Sequence, residues 1–219
     1  MTSTSAPPVL DPPVLLGDAY ADPTPSGWDL AALPVLTGSD IGSTVSFADL
    51  SRRFVLDLVA ARASTRLGLD PVEASLPVLR DSTRAACALL SPYALDGTAV
   101  VTDAEHAGVR LGADGSPDAA WFASIALTDA EPEAVGAHLA GLLTPVAERV
   151  AEATGRAPAE TVGEVAEVLA AEIARLAREC ALLDQPRPDV EVTLGAVLRG
   201  ALEALGEEPR EVRRAARAS

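Results

Sequence analysis

The stretch TDAEPEAVGAHLAGLLTPVAERVAEATG, residues 128–155, decides the fold. Its apolar residues Val135, Leu139, Leu142, Leu143, Val146 and Val150 recur in three- and four-residue steps, which makes one stripe of an amphipathic helix over about 131–154. Thr128 and Asp129 stand where a cap belongs, Glu131 follows Thr128 by three residues, and Gly155 supplies a stop. The next segment, RAPAETVGEVAEVLAAEIARLAREC at 156–180, opens on Pro158 and carries a second stripe: Val162, Val165, Leu169, Ile173, Leu176 and Cys180. The short connection makes the first helix the natural partner of the second.

Working outward, Pro186 and Pro188 separate this pair from a last helix over about 191–205, stopped by Gly206. The arginine-rich end, Arg213 to Arg217, reads as frayed. On the N-terminal side the texture changes between 97 and 127. Three short runs, 98–101, 108–111 and 121–127, have strand composition, and Asp114-Gly115 supplies a turn between the last two. They predict a three-stranded antiparallel meander. Before it, Phe47, Leu50, Phe54, Leu58, Ala61 and Leu67 predict a helix over 47–67 that ends at Gly68. Asp70-Pro71-Val72-Glu73 starts another piece, interrupted by Pro77, and residues 80–90 form a short helix ended by Ser91-Pro92.

Residues 1–45 differ in composition, with prolines at 7, 8, 12, 13, 23, 25 and 34 and the Pro-Pro-Val-Leu motif at 7–10 and again at 12–15. Such a segment favours extended backbone over helix or central strand. It reads as a disordered proline-rich arm, with Val and Leu as anchors for a protein partner and Trp28 as a pin to the body. The prediction is one α+β domain, mostly α, over 46–219.

Composition narrows the function classes. The core must be built from Leu, Val and Ala, because apolar residues make up 48% of the 219 and aromatic ones only 3%. All 17 basic residues are arginine, so Schiff-base and P-loop lysines are excluded. A formal net charge of -15 repels a polyphosphate, and no basic stripe offsets it, so nucleic acid is not the expected partner. Cys87 and Cys180 stand alone, without a CxxC or a neighbouring histidine, and read as two buried thiols, the alternative being a single long-range disulfide. The start lacks the pattern of a signal peptide and no apolar run is long enough to span a bilayer, which points to a cytoplasmic protein with no membrane association. No phosphate-binding loop, nucleophile elbow or zinc motif is present, so no metal and no cofactor is expected.

The remaining candidates are ionisable clusters. Arg62 and Arg66 are one helical turn apart, as are Arg80 and Arg84, so each pair shares a face fit for an anionic ligand, or for the protein's own carboxylates. Asp103-Ala104-Glu105-His106 lies in a turn between strands, where Glu105 and His106 are acid–base candidates or simply solvated turn residues. His138, one residue before Leu139 of the stripe, is a third acid–base candidate, or a boundary histidine with a satisfied hydrogen bond.

A short helix runs into Leu89-Leu90-Ser91-Pro92, small strands with a tryptophan follow, and then come the segment from His138 to Val146 and the Ala153-Thr154-Gly155 end. This order of elements resembles the ferric-siderophore reductase-like (FhuF-like) family over roughly residues 50–215. In that family a basic pair precedes cysteines that hold a [2Fe–2S] cluster. Here Arg213-Arg214 is followed by Ala215-Ala216, so electron transfer is not expected. The resemblance implies a ligand cleft between helices and sheet, lined by Arg62, Arg66, Arg80, Arg84 and Trp121. It implies a non-redox binding or accessory protein for a siderophore or another anionic metabolite. The alternatives are an adaptor docking a partner through the arm, and a cofactor-free enzyme of natural-product metabolism.

Overall fold

The computed structural model describes residues 28–37, 43–183 and 188–207. The expectations placed on residues 1–27 and on the arginine-rich end lie outside the described residues. The chain is α+β and mostly helical, with a small mixed sheet.

Trp28–Leu30 forms a 3-10 turn, followed by β1 (Val35–Thr37) and β2 (Thr44–Ser46). The structure thus takes up residues assigned to the arm: the body starts by Trp28, whose buried ring lies 5.8 Å from that of Phe122. Ser46 ends β2 and caps α1 (Phe47–Leu50), its hydroxyl accepting from the Asp49 N–H at 3.0 Å and donating to Asp49 Oδ2 at 2.9 Å. The single helix expected over 47–67 is broken by extended backbone at Arg52, so that α2 (Arg53–Leu67) is separate and ends on left-handed Gly68. α3 (Ser75–Cys87) contains Pro77 in its first turn, where no amide donor is needed. α4 (Leu90–Asp96) begins across Ser91-Pro92, rather than a helix ending there, and stops on left-handed Gly97.

β3 (Ala99–Val101), β4 (Ala107–Leu111), β5 (Pro117–Phe122) and β6 (Ala126–Thr128) follow. The hairpin at Asp114-Gly115 is present, but the three-stranded meander is not. One sheet has the order β1-β5-β4-β2, with β1 parallel to β5, and β3 pairs with β6 in a second, two-stranded sheet. Two local contacts explain the split. Asp103 accepts from the backbone N–H groups of Glu105 and His106, turning the chain out of β3 rather than back along it. The run 121–127 breaks where the Ala123 N–H bonds to the His106 carbonyl, and where the Ser124 carbonyl accepts from the Thr102 hydroxyl.

α5 (Pro132–Thr154), α6 (Pro158–Ala181) and α7 (Val190–Leu205) complete the chain. Thr128 belongs to β6, so the expected cap gives way to an uncapped start at Glu131 with Pro132 at the first position. The stripe of α5 is buried, and so is that of α6 apart from half-buried Val162. α6 packs on α5 and also on α3, while the tightest approach of α5 is to α7. There a Cβ on Gly136 would sit 1.9 Å from the Val197 carbonyl oxygen. Among the described residues no helix is long and apolar enough to cross a membrane.

Candidate functional site

The arginines chosen from sequence turn mostly toward the protein's own carboxylates. Arg80 gives Nε and Nη2 to Glu164 of α6 at 2.8 and 2.7 Å. Arg84 bonds Asp81 at 2.7 Å and stands 3.6 Å from Glu172, which Arg175 holds from its other side at 2.8 Å. Arg175 also donates to the Leu30 carbonyl through both terminal nitrogens, at 3.1 Å each, tying the first turn of the body to α6. Burial pushes the Asp81 carboxyl up against the opposing pull of Arg84, Arg66 and Arg80, so three of the four arginines act on one carboxylate. Arg66 pairs with Asp114 at 3.4 Å, and Arg62 packs its stem on Gly115 of the same turn. Trp121 is buried on the sheet face opposite that of Phe122. The result is two sets of ion pairs, one joining α2 to the hairpin turn and the other joining α3 to α6.

The acid–base candidates converge better. His106 Nδ1 lies 2.8 and 2.9 Å from the two Asp103 oxygens. Burial alone would raise the Asp103 carboxyl, yet hydrogen bonds from His106 and Glu105 hold it below the ordinary carboxylate range. His138 reaches the same corner from α5, where its Nε2 accepts a long, 3.4 Å hydrogen bond from the Thr102 N–H. Both histidines of the chain therefore flank the Thr102–His106 turn, with the Glu105 side chain exposed beside them. His106 and Asp103 form an exposed pair, while His138 spends its free nitrogen on the backbone.

Burial lowers the pKa of His138 against the opposing pull of Asp103, and the sign of the consequence follows. The unfolded chain binds the proton more readily than the folded one, so stability is full above the ordinary histidine range, about pH 6.5. It falls as pH drops from there toward the lower folded value. We expect the melting temperature to fall by a few degrees between pH 7 and pH 5, and the His138→Gln variant to flatten that slope. Equal slopes in the two proteins would show that His138 does not titrate with folding.

A third locus went unread in the sequence. A cleft of about 440 Å³ opens between the start of α2, the 71–75 segment and the last turns of α5. Its polar side chains are Arg53, Asp57, Ser75, Arg149 and Glu152, and Pro71, Val72 and Ala153 form an apolar wall. The Arg149 side chain is 15% exposed and pairs with Glu152, which is 67% exposed. The Arg149 Nε is buried with no hydrogen-bond partner among the described residues. A signal for this was available, because Arg149 stands three residues after Val146, at a stripe position where an apolar residue is the norm.

Among the described residues no group of three or more histidine, cysteine, aspartate or glutamate side chains could hold a metal ion. Cys87 and Cys180 are free and buried, and burial raises both thiols above their ordinary range, which disfavours the thiolate a metal would need. No protein-family model, no curated protein and no solved structure matches the chain.

Proposed function

We propose that this protein is a non-redox binding protein for a small organic anion, on a scaffold similar to the ferric-siderophore reductase-like family. One observation carries the binding reading: the cleft that sets Arg149, nearly buried and incompletely bonded, beside Arg53 in a chain of net charge -15. An arginine that lines a cleft and keeps one N–H unpaired can serve as an anion receptor, since a carboxylate or phosphate that reached it would complete its bonding. The scaffold reading is supported by the order of elements from Leu89 to Gly155 in the sequence. The non-redox reading is supported by the chemistry of its two cysteines, both buried.

Calorimetric titration with ferric and iron-free siderophores and with simple carboxylates tests this. Saturable binding is expected for at least one member, weakened about tenfold or more in Arg149→Gln through loss of one charge-assisted contact. A flat response across the panel would overturn the binding reading.

A second reading, a docking adaptor, is favoured by Phe54 and Leu58. They lie one turn apart on the outer face of α2, 78% and 44% exposed. In that reading, polar substitution of both residues removes partner association and leaves the melt unchanged.

A further inference from the structure

We infer that the cleft takes a monocarboxylate with an apolar body, and that Glu152 holds the Arg149 guanidinium until the ligand displaces it. The inference rests on the binding reading above and names its ligand class. Glu152 pairs with Arg149 through Nη1 alone, leaving Nε buried and unmet. A free carboxylate is not tethered three residues away on the same helix, so it can take the fork of Nε and the other terminal nitrogen, and its charge at the same guanidinium drives the Glu152 carboxylate off Nη1. The exchange is neutral in charge. One carboxylate replaces another, and Glu152, already two-thirds exposed, passes into water.

The rest of the cleft sets the ligand's character. Pro71, Val72 and Ala153 offer an apolar wall, and Val72 is 47% exposed. Asp57 stands in the same cleft, 3.8 Å from Arg53, so a second or third negative charge on the ligand would meet a carboxylate. That disfavours phosphate and polycarboxylates. Arg53, 81% exposed, supplies a positive rim that draws an anion toward an otherwise acidic protein.

Octanoate, benzoate and inorganic phosphate are titrated against the full chain and against Glu152→Gln, Arg149→Gln and Arg149→Lys, with a thermal melt confirming that each variant folds. Octanoate and benzoate should bind more tightly than phosphate. Glu152→Gln should tighten both about tenfold by removing the internal competitor, and Arg149→Lys, which keeps the charge without the fork, should weaken them about as much. If Glu152→Gln binds octanoate no better than the parent, the displacement is overturned while an Arg149-dependent anion site stands. If phosphate binds better than either carboxylate, the ligand class is overturned. If neither carboxylate binds the parent or Glu152→Gln, the whole inference falls, and the siderophore titration then decides separately whether the binding reading survives.

Discussion

Replacing Gly200 with alanine is expected to destabilise the protein by on the order of 3 kcal/mol or more, and Gly136→Ala by a similar amount. Both glycines lie at the contact between α5 and α7, each against backbone of the other helix. A Cβ on Gly200 would lie 2.1 Å from the Glu133 carbonyl oxygen and 2.6 Å from the Glu133 Cα. A Cβ on Gly136 would lie 2.6 Å from the Ala201 nitrogen, in addition to its clash with Val197. Every obstructing atom is backbone, so no rotamer change relieves the overlap and the helices must separate. Separation opens the buried contacts of Leu139, Leu143, Leu194 and Val197 together. A control lies in the same helix: Gly195 has nothing within 4 Å of its added Cβ. Gly195→Ala should therefore be neutral or stabilising by about 0.5–1 kcal/mol, through the lower entropy of the unfolded chain. Urea unfolding of the three variants checks the set. A Gly200→Ala protein with the parent's midpoint would mean that α5 and α7 are not in this close contact.

The same glycines show why part of the fold was legible and part was not. Helix ends announce themselves locally. Gly68, Gly155 and Gly206 all take positive φ where a stop was read, and Pro158 opens its helix as expected. Helix partners are a tertiary matter. The short link after Gly155 favours α6 as the neighbour of α5, but closest approach is governed by which faces lack side chains, and those belong to Gly136 and Gly200. Strand pairing failed for a similar reason. β1, β2, β3 and β6 are three residues long, too short to carry an alternating pattern, and Ala123 to Ile125 look like strand until their backbone bonds are traced. Each arginine pair lies one turn apart on its helix, Arg62 and Arg66 on α2 and Arg80 and Arg84 on α3. Sequence spacing does not reveal that Glu164 and Glu172 arrive from α6 to meet Arg80 and Arg84. Arg149 is the converse, a residue whose stripe position foretold burial while its charge suggested surface.

A chain beginning at residue 46 is expected not to fold. This reverses what an arm ending at 45 would imply, and four losses combine to produce it. The Trp28 ring leaves Phe122, and truncating a core tryptophan alone typically costs about 3–5 kcal/mol. β1 leaves the edge of β5, where Val35, Leu36 and Thr37 pair with Ala120, Trp121 and Phe122, exposing an apolar strand edge. β2 leaves β4, removing the close crossing in which the Gly108 backbone meets Val45. The Leu30 carbonyl leaves Arg175, whose remaining partners, Glu172 and Glu179, are both carboxylates of its own helix. The sum approaches or exceeds the roughly 5–15 kcal/mol that holds an ordinary domain together. Expression of residues 46–219 should give insoluble protein, or soluble protein without a cooperative melt. The milder Trp28→Ala in the full chain should melt cooperatively at a lower temperature. Arg175→Ala should lower it less, because only the bonds to one carbonyl and two carboxylates are lost, at about 1–3 kcal/mol in total. A 46–219 protein that unfolds cooperatively within a few degrees of the full chain would show that Trp28, β1 and β2 decorate the core without completing it.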